Sequence, residues 1–322
     1  MLVLMISLAA LQAGPPALEL PVECTIGTTC FIQQYVDHDP GPGITDYKCG
    51  AQSYDGHKGT DFRILSLDAM KEGVPVLASA GGRVRAVRDG EPDVFARDRG
   101  AEALEGRECG NGIVIDHEDG WQTQYCHLRQ GSVRVRPGQQ IAAGETLGLV
   151  GLSGKADFPH VHLSVRQGKK VIDPFAVSDE GLAACGTTAG ALWTESAATA
   201  VAYRDVSILN AGFADGQVDG RGIEEGAGIG FALTSDKPAL VVFARMINAK
   251  EGDRLRLSID GPQGFSVTST ADPAPRHQAQ RVAFAGRKRP EGGWPRGEYR
   301  GVVEVVRDGE VIDRREVTLR YE

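Results

Sequence analysis

Short β-type segments separated by turn residues recur throughout residues 57–175, and this spacing is the strongest constraint on the fold. Gly, Pro-Gly or Asp-Gly ends each apolar run early. In GNGIVIDHEDGWQTQY, an apolar run and a second strand flank the Asp119-Gly120 turn signal. GVPVLASAGGRVRAVRDG indicates two short strands around a Gly-Gly turn, and PHVHLSVRQGKKVIDPF closes the series with another hairpin. We therefore predict an antiparallel, all-β core here.

The C-terminal part of the chain also has a β-type pattern, but of a different kind. Leu255, Leu257 and Ile259 alternate with polar residues, and Asp308-Gly309 separates two long β-type runs. We predict that residues 192–322 form a small immunoglobulin-like or similar β-sandwich, joined through small polar residues at 185–191. The expected fold class is therefore all-β, with an antiparallel β-sheet or barrel-like domain followed by a smaller C-terminal β-sandwich.

The N-terminus and the cysteines both point to export. Residues 1–11 are almost wholly apolar and are followed by small residues and a Gly-Pro-Pro break, so residues 1–20 are interpreted as a signal-peptide-like leader with a cleavage site near Ala13. The six cysteines all precede residue 186, and their even number favours disulfides in an oxidising compartment. We expect a periplasmic or extracellular protein. Cys109 and Cys126 flank one predicted hairpin and are the preferred pair.

Charge and hydropathy argue against nucleic-acid binding and against a membrane-spanning helix after the leader. The formal net charge is -8, whereas binding to nucleic acid requires a basic surface. No segment after the leader reaches the ~20 apolar residues that a membrane-spanning helix needs. We expect neither nucleic acid nor an integral membrane segment, and the sequence leaves the oligomeric state open.

Four of the seven histidines stand out. His57 and Asp61 in DGHKGTDF could hold a divalent metal or lie in a polar surface turn. His160 and His162 alternate in PHVHLSV, which places both on one strand face with Cα atoms ~6.5 Å apart. This spacing alone does not decide which of the two would bind a metal. His127 is the fourth candidate. The remaining three histidines are set apart, because His38 and His117 fall in turn-like stretches and His277 lies outside the candidate domain.

HKGTDF, YCHL and PHVHL, in this order, resemble the three signatures of the lysostaphin-type (LytM-type) zinc endopeptidases, which cut peptide bonds in bacterial peptidoglycan. PVLASAGGRV, GNGIVIDHEDG, PGQQIAAGETLGLVG and VIDPF are similar to the strands and turns between those signatures. The resemblance covers the core at residues 55–176 of a peptidase domain expected at residues 21–185. Two residues depart from the family pattern: Phe158 replaces the usual glycine before Pro-His, and Cys126 a small residue.

The resemblance implies one Zn²⁺ held by His57, Asp61 and His162, with His127 and His160 as catalytic residues. Three protein ligands and an open position suit a catalytic zinc, which lowers the pKa of bound water to about 7. The implied function is an exported zinc endopeptidase acting on peptidoglycan cross-links or stem peptides. The alternatives are a non-catalytic regulator of another hydrolase and a secreted zinc peptidase with protein substrates.

Two other segments have expected roles. Residues 89–108 are densely charged, which is typical of a solvated insertion or of a loop that walls a substrate groove. The C-terminal sandwich has no plausible ligand set, so we expect it to be dispensable for the chemistry and to serve docking, spacing or self-association.

Overall fold

The computed structural model describes residues 14–178, 181–182, 185–186 and 190–322. Residues 1–13, which hold most of the predicted leader and its cleavage site, lie outside the described residues, as does part of the predicted linker. The predicted all-β fold class is confirmed: most of the described elements are antiparallel strands. No helix that the structure describes is both long enough and apolar enough to cross a bilayer.

The N-terminal part contains twelve short strands. They are β1 (Cys30–Gln34), β2 (Thr60–Ile64), β3 (Pro75–Leu77), β4 (Gly82–Arg88), β5 (Asn111–Asp116), β6 (Trp121–Leu128), β7 (Gln140–Ile141), β8 (Thr146–Leu149), β9 (His160–Gln167), β10 (Lys170–Ile172), β11 (Val177–Ser178) and β12 (Gly181–Leu182). Three short helices accompany them, namely α1 (Leu67–Glu72), α2 (Ala96–Arg99) and α3 (Ala101–Leu104), and Glu118–Gly120 forms a 3₁₀ turn.

The main sheet of this part is antiparallel and open. Its strand order is β1-β2-β9-β6-β5-β4-β7, with β10 paired to β9. Of the predicted sheet or barrel-like arrangements, the structure has the open sheet: the path ends at β1 and β7, which do not pair. The two strands predicted around the Gly-Gly turn also do not pair with each other, because β3 joins β8 in a separate sheet while β4 lies between β5 and β7.

The predicted hairpins have the turn residues that their geometry needs. Asp119 and Gly120 have φ angles of 51° and 74°, and Asp308 and Gly309 have φ angles of 50° and 87°. Positive φ at both central positions matches the right-handed twist of the flanking strands, and Asp-Gly tolerates it well. The turns thereby fix which residues of each strand face the core.

Residues 206–322 form two sheets, as predicted for a sandwich, whereas Leu192, Trp193 and Ala197, which were expected in it, pack in the core of the N-terminal part. One contains β13 (Ser207–Ala214), β14 (Ala239–Ala249) and β17 (Gln278–Lys288); the other contains β15 (Arg254–Asp260), β16 (Ser266–Thr270), β18 (Gly297–Arg307) and β19 (Glu310–Tyr321). One short helix, α5 (Gly220–Glu224), and a 3₁₀ turn at Pro262–Gly264 complete this part. The preceding helix α4 (Glu195–Ala200) buries Ala197 in the N-terminal core instead. Leu255, Leu257 and Ile259 are all buried, as their alternation predicts.

Three disulfides bridge the N-terminal part. They join Cys24 to Cys30, Cys49 to Cys185 and Cys109 to Cys126. The preferred pair is confirmed. Cys109 and Cys126 meet because β5 and β6 are neighbours in the main sheet, and the bridge spans the base of their hairpin.

Each part has its own buried core, and a small third cluster lies between them. Phe31 of the main sheet packs with Leu209 and Ile247 of the sandwich, and the partly buried Leu65 covers them. Burial of apolar side chains is worth roughly 1.5–3 kcal/mol each. The two parts therefore share a buried apolar contact next to β2.

Candidate metal centre

Three adjacent strands of the main sheet bring the candidate residues together. Asp61 on β2 pairs directly with His162 on β9, and His162 pairs with Cys126 on β6, one residue before His127. His160 lies two residues before His162 on the same face of β9. His57 precedes β2 in a loop whose Asp37 carboxylate accepts a hydrogen bond from the Gly56 N–H.

The donor atoms of His57, Asp61 and His162 all lie within 4.8 Å of one another. Nε2 of His57 is 3.2 Å from Oδ1 of Asp61 and 3.1 Å from Nδ1 of His162. Nδ1 of His162 is 2.8 Å from the same carboxylate oxygen. His57 and Asp61 are buried and His162 is partly buried.

The hydrogen bonds on the outer sides of the His57 and His162 rings fix which nitrogen of each ring faces Asp61. Nδ1 of His57 donates to the Tyr35 carbonyl at 2.6 Å. The Ser164 hydroxyl donates to the Lys58 carbonyl, so it accepts from Nε2 of His162 at 3.0 Å. In their neutral forms both imidazoles therefore turn a lone pair towards the carboxylate.

Three lone pairs without a proton between them form a site for a cation. Two neutral imidazoles and a carboxylate are the donors that a catalytic zinc uses, and the outer hydrogen bonds to a carbonyl and a hydroxyl are those expected of metal-binding histidines. The residues present therefore fit a divalent metal of the zinc type.

The electrostatics of Asp61 agree with this interpretation. Burial opposes ionisation of Asp61, but the electrostatic effect of the neighbouring imidazoles, first His57 and then His160, outweighs it and holds the pKa of Asp61 well below its usual range. Burial also disfavours the charged form of His57, yet Asp61 raises its pKa. The carboxylate is thus ionised and attracts positive charge at neutral pH.

His127 and His160 stand beside this cluster. Their ring centroids are 4.6 Å apart, and Nε2 of His160 is 3.5 Å from Oδ1 of Asp61. Nδ1 of His127 donates to the Ser153 carbonyl at 2.7 Å and Nδ1 of His160 to the Phe158 carbonyl at 2.8 Å. Burial lowers the pKa of both histidines. Both rings are therefore neutral at neutral pH, with Nε2 as the acceptor.

His127 has an unusual backbone conformation. Its φ angle is 64°, in the left-handed region that few residues other than glycine adopt. The His127 N–H donates to the Cys109 carbonyl at 2.8 Å, and the neighbouring Cys126 is bridged to Cys109. The end of the β5–β6 hairpin thus holds this residue in place.

A groove of about 520 Å³ runs past His57, His127 and His162. Its other lining residues are mostly polar or charged and include Tyr54, Asp55, Lys58, Glu108, Lys155 and Arg166. Glu108 belongs to the charged insertion, which therefore contributes to one side of the groove.

Sequence reasoning missed three partners in this site. The Tyr54 ring stacks on His57 with centroids 4.3 Å apart, the Tyr35 carbonyl orients the same histidine, and Ser164 orients His162. Strand alternation would have indicated Ser164, because it lies two residues after His162 on the same face. Tyr35 belongs to another segment, and Tyr54, although it directly precedes DGHKGTDF, carries no such signal.

The three histidines that were set aside lie outside the cluster. Nε2 of His38 is 2.7 Å from an Asp173 carboxylate oxygen, and both side chains are buried. His117 contacts the Gly81 carbonyl and the Thr123 hydroxyl. His277 lies in the sandwich.

Comparison with known proteins identifies the part of the chain that carries this cluster. Residues 55–174 match the model of Peptidase family M23. The chain contains a peptidase family M23 domain. The resemblance to the lysostaphin-type enzymes, which rested on three short motifs, is thereby confirmed.

Relatives of the M23 domain include two curated bacterial proteins. Cell division protein DipM of Caulobacter vibrioides is 33% identical over 128 residues, which are 39% of this chain and 18% of that protein. Peptidoglycan DD-endopeptidase ShyA of Vibrio cholerae is 33% identical over 106 residues, which are 33% of this chain and 19% of that protein. The chain spans about a fifth of the length of these relatives. A solved zinc-containing peptidase from Vibrio cholerae is 24% identical, covering 47% of this chain and 41% of that one with a TM-score of 0.30.

Proposed function

We propose that the M23 domain is a zinc-dependent endopeptidase that hydrolyses peptide bonds in peptidoglycan, in cross-links or in stem peptides. The observation that carries the proposal is the completeness of the site: three lone pairs converge between His57, Asp61 and His162, and two neutral histidines adjoin them. Similarity to an enzyme named a peptidoglycan DD-endopeptidase supports the substrate class.

His57, Asp61 and His162 would hold the zinc. When bound, zinc supplies a Lewis acid that polarises the scissile carbonyl and makes water a better nucleophile. Nε2 of His127 and Nε2 of His160 are the proton acceptors of the site, since each Nδ1–H is already committed to a carbonyl. One of them takes a proton from the attacking water as its oxygen bonds to the carbonyl carbon. A proton then passes to the departing amine as the C–N bond breaks.

We further propose that the protein is exported to the periplasm or the cell exterior, where peptidoglycan lies. The three disulfides support this location, because such bonds persist in oxidising compartments. The completeness of the site argues against a purely regulatory role, since a regulator would not need two neutral histidines beside a metal cluster.

Digestion of purified sacculi tests the proposed function. The zinc-loaded protein and its Asp61→Ala variant would each be incubated with sacculi, and the released fragments would be identified by mass. We expect the parent protein to release fragments with newly cut peptides and the variant to release none. Release of glycan strands with intact peptides, or cleavage of casein with no effect on sacculi, would contradict the proposal.

A further inference from the structure

A buried arginine lies beside the metal cluster and has no place in the proposed chemistry. Arg63 follows Asp61 by two residues on β2, so both side chains lie on the same face of the sheet. In the antiparallel register Arg63 pairs with His160, just as Asp61 pairs with His162. The Arg63 side chain is 1% exposed.

The acidic partner of Arg63 comes from the sandwich, where Arg245 shares it. Its guanidinium donates to the Gln33 amide oxygen of β1 and to the Glu224 carboxylate at the end of α5. Among the described residues Glu224 is its only acidic partner, and the Glu224 side chain is 4% exposed. A buried guanidinium that loses its carboxylate is strongly destabilised. Arg63 of the main sheet therefore depends on the sandwich for its counter-charge.

Glu224 is itself held firmly. Arg245 of β14 donates to the Glu224 carboxylate at 2.6 Å, and another nitrogen of the same guanidinium donates to the Leu65 carbonyl at 3.1 Å. The Asp219 side chain caps the N-terminus of α5 by accepting from the Gly222 N–H. The carboxylate therefore has a fixed position relative to the strand that carries Asp61 and Arg63.

The Arg63 guanidinium also packs on the residue that holds His160. Arg63 lies 4.4 Å from the centroid of the Phe158 ring, and that ring is 4.5 Å from the His160 ring. The Phe158 carbonyl also accepts from Nδ1 of His160. Phe158 thus touches His160 through both its ring and its backbone, and Arg63 holds Phe158 by a cation–π contact.

We propose that Glu224 of the sandwich and Arg63 of β2 are positioning residues for His160, acting through Phe158. The proposal rests on the proposed function for the role of His160. It explains why a phenylalanine stands where the family pattern has a glycine: here the ring transmits the contact from the domain interface to the site. It also replaces the expectation that the sandwich is dispensable for the chemistry.

Kinetics of full-length, zinc-loaded variants test the proposal, with a cross-linked muropeptide dimer released from sacculi as the probe. Because small misplacements of a reacting group can cost up to about 10²-fold, we expect Glu224→Gln to lower kcat by about 10–100-fold. KM and zinc content should stay close to those of the parent. Phe158→Leu, which removes the ring without touching the ion pair, should have the same effect. Glu224→Asp, which keeps the charge, should recover part of kcat.

Asp253→Asn is the matched control. Asp253 is fully buried and pairs with Arg307 inside the sandwich. This change should lower the melting temperature as Glu224→Gln does, yet leave kcat within about twofold of the parent. Equal losses of kcat in Asp253→Asn and Glu224→Gln would reduce the effect to stability and overturn the proposal. Unchanged kcat in folded Glu224→Gln and Phe158→Leu would also overturn it.

A second measurement does not depend on activity. Exchange of the His160 Nδ1 proton with solvent, followed by NMR, reports directly on the bond to the Phe158 carbonyl. We expect faster exchange in Glu224→Gln and Phe158→Leu and unchanged exchange in Asp253→Asn. If the parent cuts no muropeptide, the proposed function fails, and the exchange rates alone decide whether Glu224 positions His160: equal rates in all proteins would exclude it.

Discussion

At the scale of single residues, the site is defined by where its lone pairs point. His57 and His162 each give their outer N–H to a fixed acceptor, so their inner nitrogens have no proton to share with Asp61. His127 and His160 commit Nδ1 instead and keep Nε2 as an acceptor. Two pairs of imidazoles, one offering its lone pairs to a metal and the other to a proton, therefore lie side by side.

The five residues should respond differently to alanine substitution. His57→Ala, Asp61→Ala and His162→Ala each remove one of three metal donors, so bound zinc and peptidase rate should fall together. His127→Ala and His160→Ala leave the three donors in place, so zinc content should stay constant. Their turnover should fall by about 10²–10⁴-fold, the usual contribution of a positioned acid or base. Zinc analysis and rates on the five proteins check this; loss of zinc from His160→Ala but not from His162→Ala would reverse the two assignments.

Ser164 gives a finer test of the metal assignment. Its hydroxyl orients His162 by accepting the Nε2–H, and loss of such an outer partner typically costs 10–100-fold in metal affinity. We expect Ser164→Ala to weaken zinc binding by roughly that factor. Ser79→Ala is a suitable control, because Ser79 is buried and its hydroxyl has no hydrogen-bond partner among the described residues. Competition with a chelator measures both affinities, and equal values would rule out an orienting role.

Sequence reasoning reached these residues only in part. Alternation placed His160 and His162 on one face, but it could not rank them, since the choice depends on which of them lies opposite Asp61. That register is a property of the β2–β9 pairing. Arg63 and Glu224 were missed because their partnership joins residues 161 positions apart, and neither belongs to a motif.

At the scale of elements, the β5–β6 hairpin combines a turn, a disulfide and a strained histidine. The strands on either side of the turn could be predicted from the sequence, because Asp-Gly and strand alternation are local signals. The short helices were not predicted, since segments of four to six residues lack the periodicity that reveals a helix. The sequence did not decide between an open sheet and a barrel-like one, because closure depends on whether the two edge strands meet and no local pattern indicates this.

The disulfide of this hairpin should matter for turnover as well as stability. Replacing Cys109 and Cys126 by serine frees the end of β6, where the Cys109 carbonyl holds His127 at a positive φ. We expect a stability loss of about 3 kcal/mol from chain entropy and a clear fall in kcat with zinc retained. Melting curves, zinc analysis and rates measure these quantities.

The Cys24–Cys30 pair provides the control for that experiment. It closes a shorter loop, worth somewhat less in chain entropy, and Cys30 pairs with Ile64 at the end of β2 that is away from Asp61. The double serine variant at these positions should lose somewhat less stability while keeping kcat. If both double variants lost turnover equally, the hairpin disulfide would have no specific role in holding His127.

At the scale of the whole molecule, the sandwich and the M23 domain are joined by charge and by packing. Phe31 packs against Leu209 and Ile247, and beside this cluster the Arg63–Glu224–Arg245 network crosses the interface. Composition and cysteine distribution indicated two units in the sequence, but they carried no information about how the units touch. Contacts between distant segments follow from tertiary packing alone.

A chain that ends at Asp205 should show what the sandwich contributes, because it keeps the residues up to Tyr203 that pack in the N-terminal core. Removal of the sandwich leaves Arg63 without its carboxylate, a change that typically costs 3–5 kcal/mol in a buried pair, and exposes Phe31. We expect a markedly lower melting temperature than that of the full chain, with zinc binding retained because the three donors all precede the sandwich. Calorimetry with and without zinc checks this. An unchanged melting temperature would mean that the interface adds nothing to stability.

The Cys49–Cys185 bridge has a consequence for how the chain is made. Its two cysteines are 136 residues apart, whereas the other pairs are 6 and 17 apart. At a synthesis rate of about 5–20 residues per second, Cys185 follows Cys49 by roughly 7–27 s. Cys49 is therefore made well before its partner, and Cys109 and Cys126 are made in the interval and can pair with each other. In an oxidising compartment this delay favours a non-native disulfide at Cys49. Maturation should therefore depend on a disulfide isomerase that breaks such bonds, so that Cys49 is free to pair with Cys185.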